Sequence, residues 1–300
     1  MTFPAPLIET RTLGRWRVHA LQAGGQLLDG GAMFGVVPKT LWERRIAADP
    51  RNRIPLGMRC LLVEHEDGLV LIDTGVGNKE DAKFRDIYGI ENAPPGDGPG
   101  NEVLVGRTAL EAGLAAAGFT PDDVSCVINT HLHFDHAGGN TWRTPTGETL
   151  PAFPNAEYVV HRGELTYAQH PNERTGASYF PANWEPLMQA GRLTVVEGEP
   201  EVRPGIRMRR TAGHTPWHQS ILLHSGGETL CFLGDLVPTA HHLPLPWIMG
   251  YDVEPLVTLE SKRSLLHDVV SGDWEVCFEH DAHTGFARVM HDGKVYRVAE

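Results

Sequence analysis

The segment Thr130-His131-Leu132-His133-Phe134-Asp135-His136 places three imidazoles and a carboxylate within six positions, directly after the apolar run Val124 to Asn129. In an extended chain the side chains at i and i+2 point the same way, so His131 and His133 can reach one ion together. If a helix follows, Asp135 and His136 project from its first turn toward a second point nearby. Imidazole and carboxylate suit zinc, manganese or ferrous iron at neutral pH. A purely structural cluster would need a separate burial partner for every polar group. Two ions need more ligands than this segment holds, and three later residues at the ends of apolar runs are able to supply them. His214 sits in Ala212-Gly213-His214-Thr215-Pro216, Asp235 ends Phe232-Leu233-Gly234-Asp235, and His280 follows Val276-Cys277-Phe278-Glu279. Two divalent ions sharing a water lower its pKa and polarise the carbonyl or phosphoryl oxygen under attack. The expected nucleophile is then a hydroxide, and the sequence has no G-x-S-x-G elbow to suggest a serine.

These residues must be held by strands and helices in alternation. β-type runs occur at Trp16 to Ala20, Met58 to Glu64, Leu69 to Asp73, Val124 to Asn129, Tyr158 to His161, Leu193 to Val196, Ile206 to Thr211, Gln219 to Ser225, Thr229 to Gly234 and Glu275 to Glu279. Turn chemistry at Glu66-Asp67-Gly68, Ser225-Gly226-Gly227 and Asp292-Gly293 predicts three hairpins. A helix from about Glu102 to Ala117, capped by Asn101 and stopped at Gly118, and another over Pro255 to Val270 complete the pattern. Irregular stretches at Tyr88 to Gly100 and Ala168 to Pro186 read as binding loops or surface excursions.

The 300 residues show no linker and no internal repeat, so residues 1–300 read as one domain, with 1–55 as an N-terminal extension and pocket loop. A net charge of −12 argues against nucleic acid, and the alternating Arg207, Arg209 and Arg210 read as the solvent face of a strand. The apolar runs are far too short to span a bilayer, no secretory segment precedes the first strand, and a cytoplasmic setting is expected. Cys60, Cys126, Cys231 and Cys277 lack any CxxC pairing and read as buried thiols.

The HxHxDH segment, the Gly213-His214-Thr215 turn, Gly234-Asp235 and a final histidine, in this order and together with Asp73-Thr74-Gly75, resemble the metallo-β-lactamase superfamily. The resemblance implies an α+β fold, a four-layer αββα sandwich with its site at one sheet edge. It also implies one ion at His131, His133 and His214, a second at Asp135, His136 and His280, and Asp235 bridging the two. His280 is preferred over His283 because it ends its strand. Zinc is the first expectation for both ions, with manganese, iron and cobalt as alternatives. Asp235 stands where β-lactamases of the superfamily usually place Cys or Ser, and His133 where its oxygen-reducing branch has Glu. Trp217 replaces the second glycine of the common GHTPGH turn, which leaves His218 behind the ligands.

The Gly-rich segment Leu28 to Pro38 resembles the N-terminal loop of the branch containing acyl-homoserine lactonases and organophosphorus hydrolases. That branch is commonly dimeric, and Met33 and Phe34 suit either a substrate pocket or a homodimer interface. Trp184, His242 and Trp247 are the other expected pocket residues, with Trp42 and Tyr251 as further aromatics. The expected activity is hydrolysis of a small ester or lactone, N-acyl-homoserine lactones among them, with quorum quenching as its consequence. Asp235 and Asp135 are the expected catalytic carboxylates, Asp135 guiding a proton to the departing alkoxide. The competing readings are a thioesterase like glyoxalase II, for which Arg288, Lys294 and Arg297 make only a thin basic patch, a phosphotriesterase, and a metal-binding sensor without turnover.

Overall fold

The computed structural model describes residues 6–93 and 108–299. Among these residues, two sheets of seven strands each lie face to face. The first joins β1 (Ile8–Leu13), β2 (Trp16–Asp29), β3 (Arg53–His65), β4 (Gly68–Ile72), β5 (Val124–Ile128), β8 (Glu157–His161) and β9 (Leu193–Val196), in that order across the sheet. A separate small hairpin pairs β6 (Thr141–Arg143) with β7 (Thr149–Pro151). The second sheet runs in sequence order through β10 (Glu201–Arg203), β11 (Ile206–Arg210), β12 (Gln219–Ser225), β13 (Glu228–Phe232), β14 (Glu275–Cys277), β15 (Phe286–His291) and β16 (Tyr296–Val298).

The period-2 alternation of each strand decides which layer its side chains enter. Val18, Ala20, Leu61, Val63, Val70, Ile72 and Ile128 of the first sheet meet Met208, Ile221, Leu223, Leu230 and Phe232 of the second in a common core. The intervening residues Leu21, Cys60, Leu62 and Leu71 face outward and pack with Leu110 and Leu114 of the helix Ala109–Ala117. On the other side Cys231, Leu233 and Val276 pack with Leu265, Leu266 and Val269 of the helix Pro255–Ser271. Helix, sheet, sheet and helix are thus stacked as the expected αββα sandwich. Because both faces of the central strands are covered, they read as continuous apolar runs.

The three turns close as expected: His65 pairs with Gly68, Ser225 with Glu228, and His291 with Tyr296. Gly226 and Gly227 both adopt positive φ, at 61° and 84°, which a two-residue hairpin turn requires. Arg207 is exposed between the buried Ile206 and Met208, as the strand alternation demands, while Arg209 is half-buried and Arg210, the last residue of β11, is exposed. All four cysteines are buried free thiols.

Other expectations need revision. The strand expected at Trp16 to Ala20 continues to Asp29, because it pairs along its length with β3, from Arg17 opposite Glu64 to Asp29 opposite Arg53, across one register shift between Gln22 and Gly25. Residues 8–29 are therefore strands of the first sheet, and the excursion is confined to the chain between Asp29 and Arg53. The start of the helix expected at Glu102, with Asn101, Val103 and Leu104, lies outside the described residues. In the helix Pro255–Ser271 the buried face is Thr258, Lys262, Leu265, Leu266 and Val269, whereas Leu256 is 77 % exposed. No helix among the described residues is long and apolar enough to cross a membrane.

Candidate metal centre

Every candidate ligand follows a strand at the same end of the sandwich. β4, β5 and β8 run parallel to one another, as do β13 and β14, so their carboxyl ends open on one edge. His131 and His133 follow β5, and Asp135 and His136 lie in the short helix Phe134–Ala137. His214 lies between β11 and β12, Asp235 follows β13 and His280 follows β14. Gly213 and Gly234 permit the tight approaches at these corners. Both have positive φ, and a Cβ would fall 2.2 Å from Thr258 Oγ1 at Gly213 and 2.6 Å from His218 Nε2 at Gly234.

The side chains converge in two groups. His131, His133, His214 and Asp235 form one, and Asp135, His136 and His280 the other, with the ligand atoms of each group within 4.8 Å of one another. His133 Nδ1 lies 3.0 Å from both His131 Nε2 and His214 Nε2, and His280 Nε2 lies 3.2 Å from His136 Nε2. Asp235 spans the groups: its Oδ2 is 2.9 Å from His214 Nε2, and its Oδ1 is 2.9 Å from His280 Nε2. His283 is exposed, and the site histidine is His280.

The partners behind the rings decide which nitrogens are available. His280 Nδ1 donates to Gly57 O (2.7 Å), His214 Nδ1 to Asp252 Oδ1 (2.9 Å), and His136 Nδ1 faces Asp73 Oδ2 (3.2 Å). His131 Nδ1 donates to Thr130 Oγ1 (3.0 Å), whose own hydrogen goes to Asp73 Oδ2 (2.6 Å). Four Nε2 lone pairs and the Nδ1 of His133 are thereby turned on common points rather than on donors. Nitrogens bound to one tetrahedral zinc lie about 3.3 Å apart, given Zn–N bonds of ~2.0–2.1 Å. The donor set and its spacing fit two divalent ions, and Asp235, whose two oxygens face His214 Nε2 and His280 Nε2 separately, fits a position between them.

The charges are tightly linked. Burial and the neighbouring imidazoles hold His131 and His133 well below the usual histidine range. Burial pulls His214 and His280 down as well, but the Asp235 carboxylate outweighs it, leaving them at about 10 and about 9. Burial pushes Asp235 up, and His214, His280 and His136 more than reverse that, holding it well below the carboxylate range. Cations binding there displace imidazole protons.

Several supporting residues carry no signal in the sequence pattern. Gln26 Nε2 donates to Asp135 Oδ2 at 2.5 Å from the far part of β2. Buried Glu164 accepts from Leu132 N (3.0 Å), Tyr179 Oη (3.0 Å) and Thr215 Oγ1 (2.7 Å), tying the His131–His133 segment to the His214 turn. His218 Nε2 accepts the Asp235 N–H at 3.0 Å, as its expected place behind the ligands requires. Asp73, at φ 54°, also accepts from Thr130 N at 2.8 Å.

A cavity of about 400 Å³ opens over the ligands, walled by Leu28, Met33, Tyr88, Phe134, Met249 and Tyr251, with Arg174 as its cation. Of the five expected pocket residues, Met33 lines it. Phe34, His242 and Trp247 stand behind that wall: Phe34 stacks on His242 and meets Trp247 edge-on, while His242 Nε2 donates to Met33 O at 2.8 Å. With Thr239 Oγ1 on its other nitrogen and burial holding it at about 3, His242 is a neutral structural group. Trp184 is a correction: it is 1 % exposed and enclosed with Leu132, Val160, Leu165 and Tyr179, because its indole is drawn into the core under the ligand segment.

Residues 55–280 match the family model of the metallo-beta-lactamase superfamily. An N-acyl homoserine lactonase from Bacillus sp is 31 % identical over 236 residues, 77 % of this chain and 84 % of the relative. A probable metal-dependent hydrolase from Staphylococcus aureus superposes with a TM-score of 0.84 at 30 % identity, covering 97 % of this chain and 99 % of the other. The fold is also that of AidC, a dizinc quorum-quenching lactonase solved with its product N-hexanoyl-L-homoserine, at TM-score 0.77, 20 % identity and coverage of 97 % and 96 %.

Proposed function

Because this chain belongs to the metallo-β-lactamase superfamily and is a hydrolase of it, we propose that it opens the ester bond of lactones, with N-acyl-homoserine lactones as its substrates and two zinc ions as its cofactors. The observation that carries this reading is Asp235, shared between two His/Asp groups on the floor of an apolar cavity. The named activity of the Bacillus relative and the two zincs of AidC support it. When bound, two such ions supply a water made acidic enough to be a hydroxide at neutral pH and a positive field on the carbonyl oxygen.

The chain's own residues do the rest. Asp235 holds the two groups in register through its separate oxygens. Leu28, Met33, Tyr88 and Tyr251 take the acyl chain and exclude water, so that the ring ester lies over the ligands. Asp135, with Oδ2 fixed by Gln26, carries a proton toward the alkoxide that leaves when the ring opens. Opening the ring releases a carboxylic acid and therefore a proton. The test is proton release on adding a long-chain acyl-homoserine lactone to protein holding two zincs per chain. Release abolished by His131→Ala is expected. No release overturns the lactonase reading and directs the search to thioesters and phosphotriesters.

A further inference from the structure

The ring of His136 is backed by two carboxylates. Its Nδ1 lies 3.2 Å from Asp73 Oδ2 and 3.0 Å from Glu279 Oε1. Asp73 is already occupied, accepting from both the backbone N–H and the hydroxyl of Thr130. Glu279 is not: it is 0 % exposed, and apart from the His136 ring neither of its oxygens meets a hydrogen-bond donor among the described residues. Its backbone carbonyl accepts from Arg59 N at 3.1 Å, which fixes the residue at the end of β14. The Arg59 guanidinium is spent on the carbonyls of Phe278 and Asp281.

A carboxylate enclosed this way is costly unless a positive charge compensates it. The route to such a charge on this side of the site is through the His136 ring, whose Nε2 faces the Asp135, His136 and His280 group. Resting on the dinuclear reading, we infer that Glu279 is a positioning residue for the second metal ion. Its charge holds the His136 Nδ1–H in place and strengthens Nε2 as a ligand.

The inference separates the two ions. Partners behind a ligand histidine commonly control metal affinity by about 10–100-fold, so Glu279→Gln is expected to weaken the second ion by that factor and leave the first in place. Cobalt-loaded wild type, Glu279→Gln and Glu279→Asp are equilibrated with graded chelator, and metal per chain and the visible cobalt bands are read together. The charge role predicts that Gln, the same shape without the charge, loses the second ion early, and that Asp retains more of it than Gln. Equal retention by wild type and Gln, better retention by Gln than Asp, or loss of both ions together overturns the inference. Wild type that holds a single ion overturns the dinuclear reading with it, an outcome distinct from failure of Glu279 alone.

Discussion

Asp252 Oδ1 lies 2.9 Å from His214 Nδ1, across the ring from the Nε2 that faces Asp235. Both partners are buried, so the pair fixes the tautomer and aim of the imidazole. Asp252→Ala is expected to weaken the ion at His131, His133 and His214 by about 10–100-fold, while the other ion changes less. Competition with a chromophoric chelator measures both constants, and an unchanged first constant would remove Asp252 from the site.

Gln26 holds Asp135 from a strand distant in sequence, through one 2.5 Å hydrogen bond. Gln26→Met keeps the bulk and removes that donor. The expected result is two ions per chain as before, with kcat lower on the order of 10–100-fold, since small displacements of a reacting group have effects of that size. Full turnover by this variant would mean that Asp135 needs no fixed orientation.

The difference between Gln26 and His131 shows what the sequence makes legible. The ligand histidines announce themselves because HxHxDH is compact and each later ligand ends an apolar run. The layers were readable for a similar reason: alternation and turn glycines are local. Gln26, Asp252 and Glu164 reach the site only through long-range pairing, and nothing adjacent to them marks that. The long β2 was also hidden, because Gly24 and Gly25 interrupt its apolar pattern at the register shift with β3. Aromatic residues misled for the opposite reason, since an indole in a loop suits either a wall or a core, and Trp184 went to the core.

That contrast can be measured. Tyr251 is 38 % exposed on the cavity wall, whereas Trp184 is enclosed. Tyr251→Ala should raise KM for long-chain lactones about 5- to 10-fold, as lost apolar contact of a ring's size implies, with little change in stability. Trp184→Ala should cost about 3–5 kcal/mol of stability through the void it leaves. Urea unfolding and KM against acyl length separate the two. A chain-length effect at Trp184 with no loss of stability would contradict its assignment to the core.

Lys262 provides a test through pH. Its ammonium is fully buried in the helix Pro255–Ser271 and donates to Pro244 O at 2.8 Å and Trp247 O at 2.9 Å. Burial lowers its pKa to about 7, against a weaker upward pull from Asp252. The folded value is therefore below the unfolded one of 10.5. Between these limits the unfolded chain binds the extra proton, so stability rises with pH from about 7 to about 10 and is lost again as pH falls. Lys262→Met removes this dependence, while Lys79, also lowered to about 7, is common to both proteins. The stability difference between wild type and variant, at equal metal content, should grow in favour of wild type by about 1 kcal/mol per pH unit across this window. Urea midpoints at pH 7, 8 and 9 give the slope, and a flat difference would mean that Lys262 keeps its proton in the folded chain throughout.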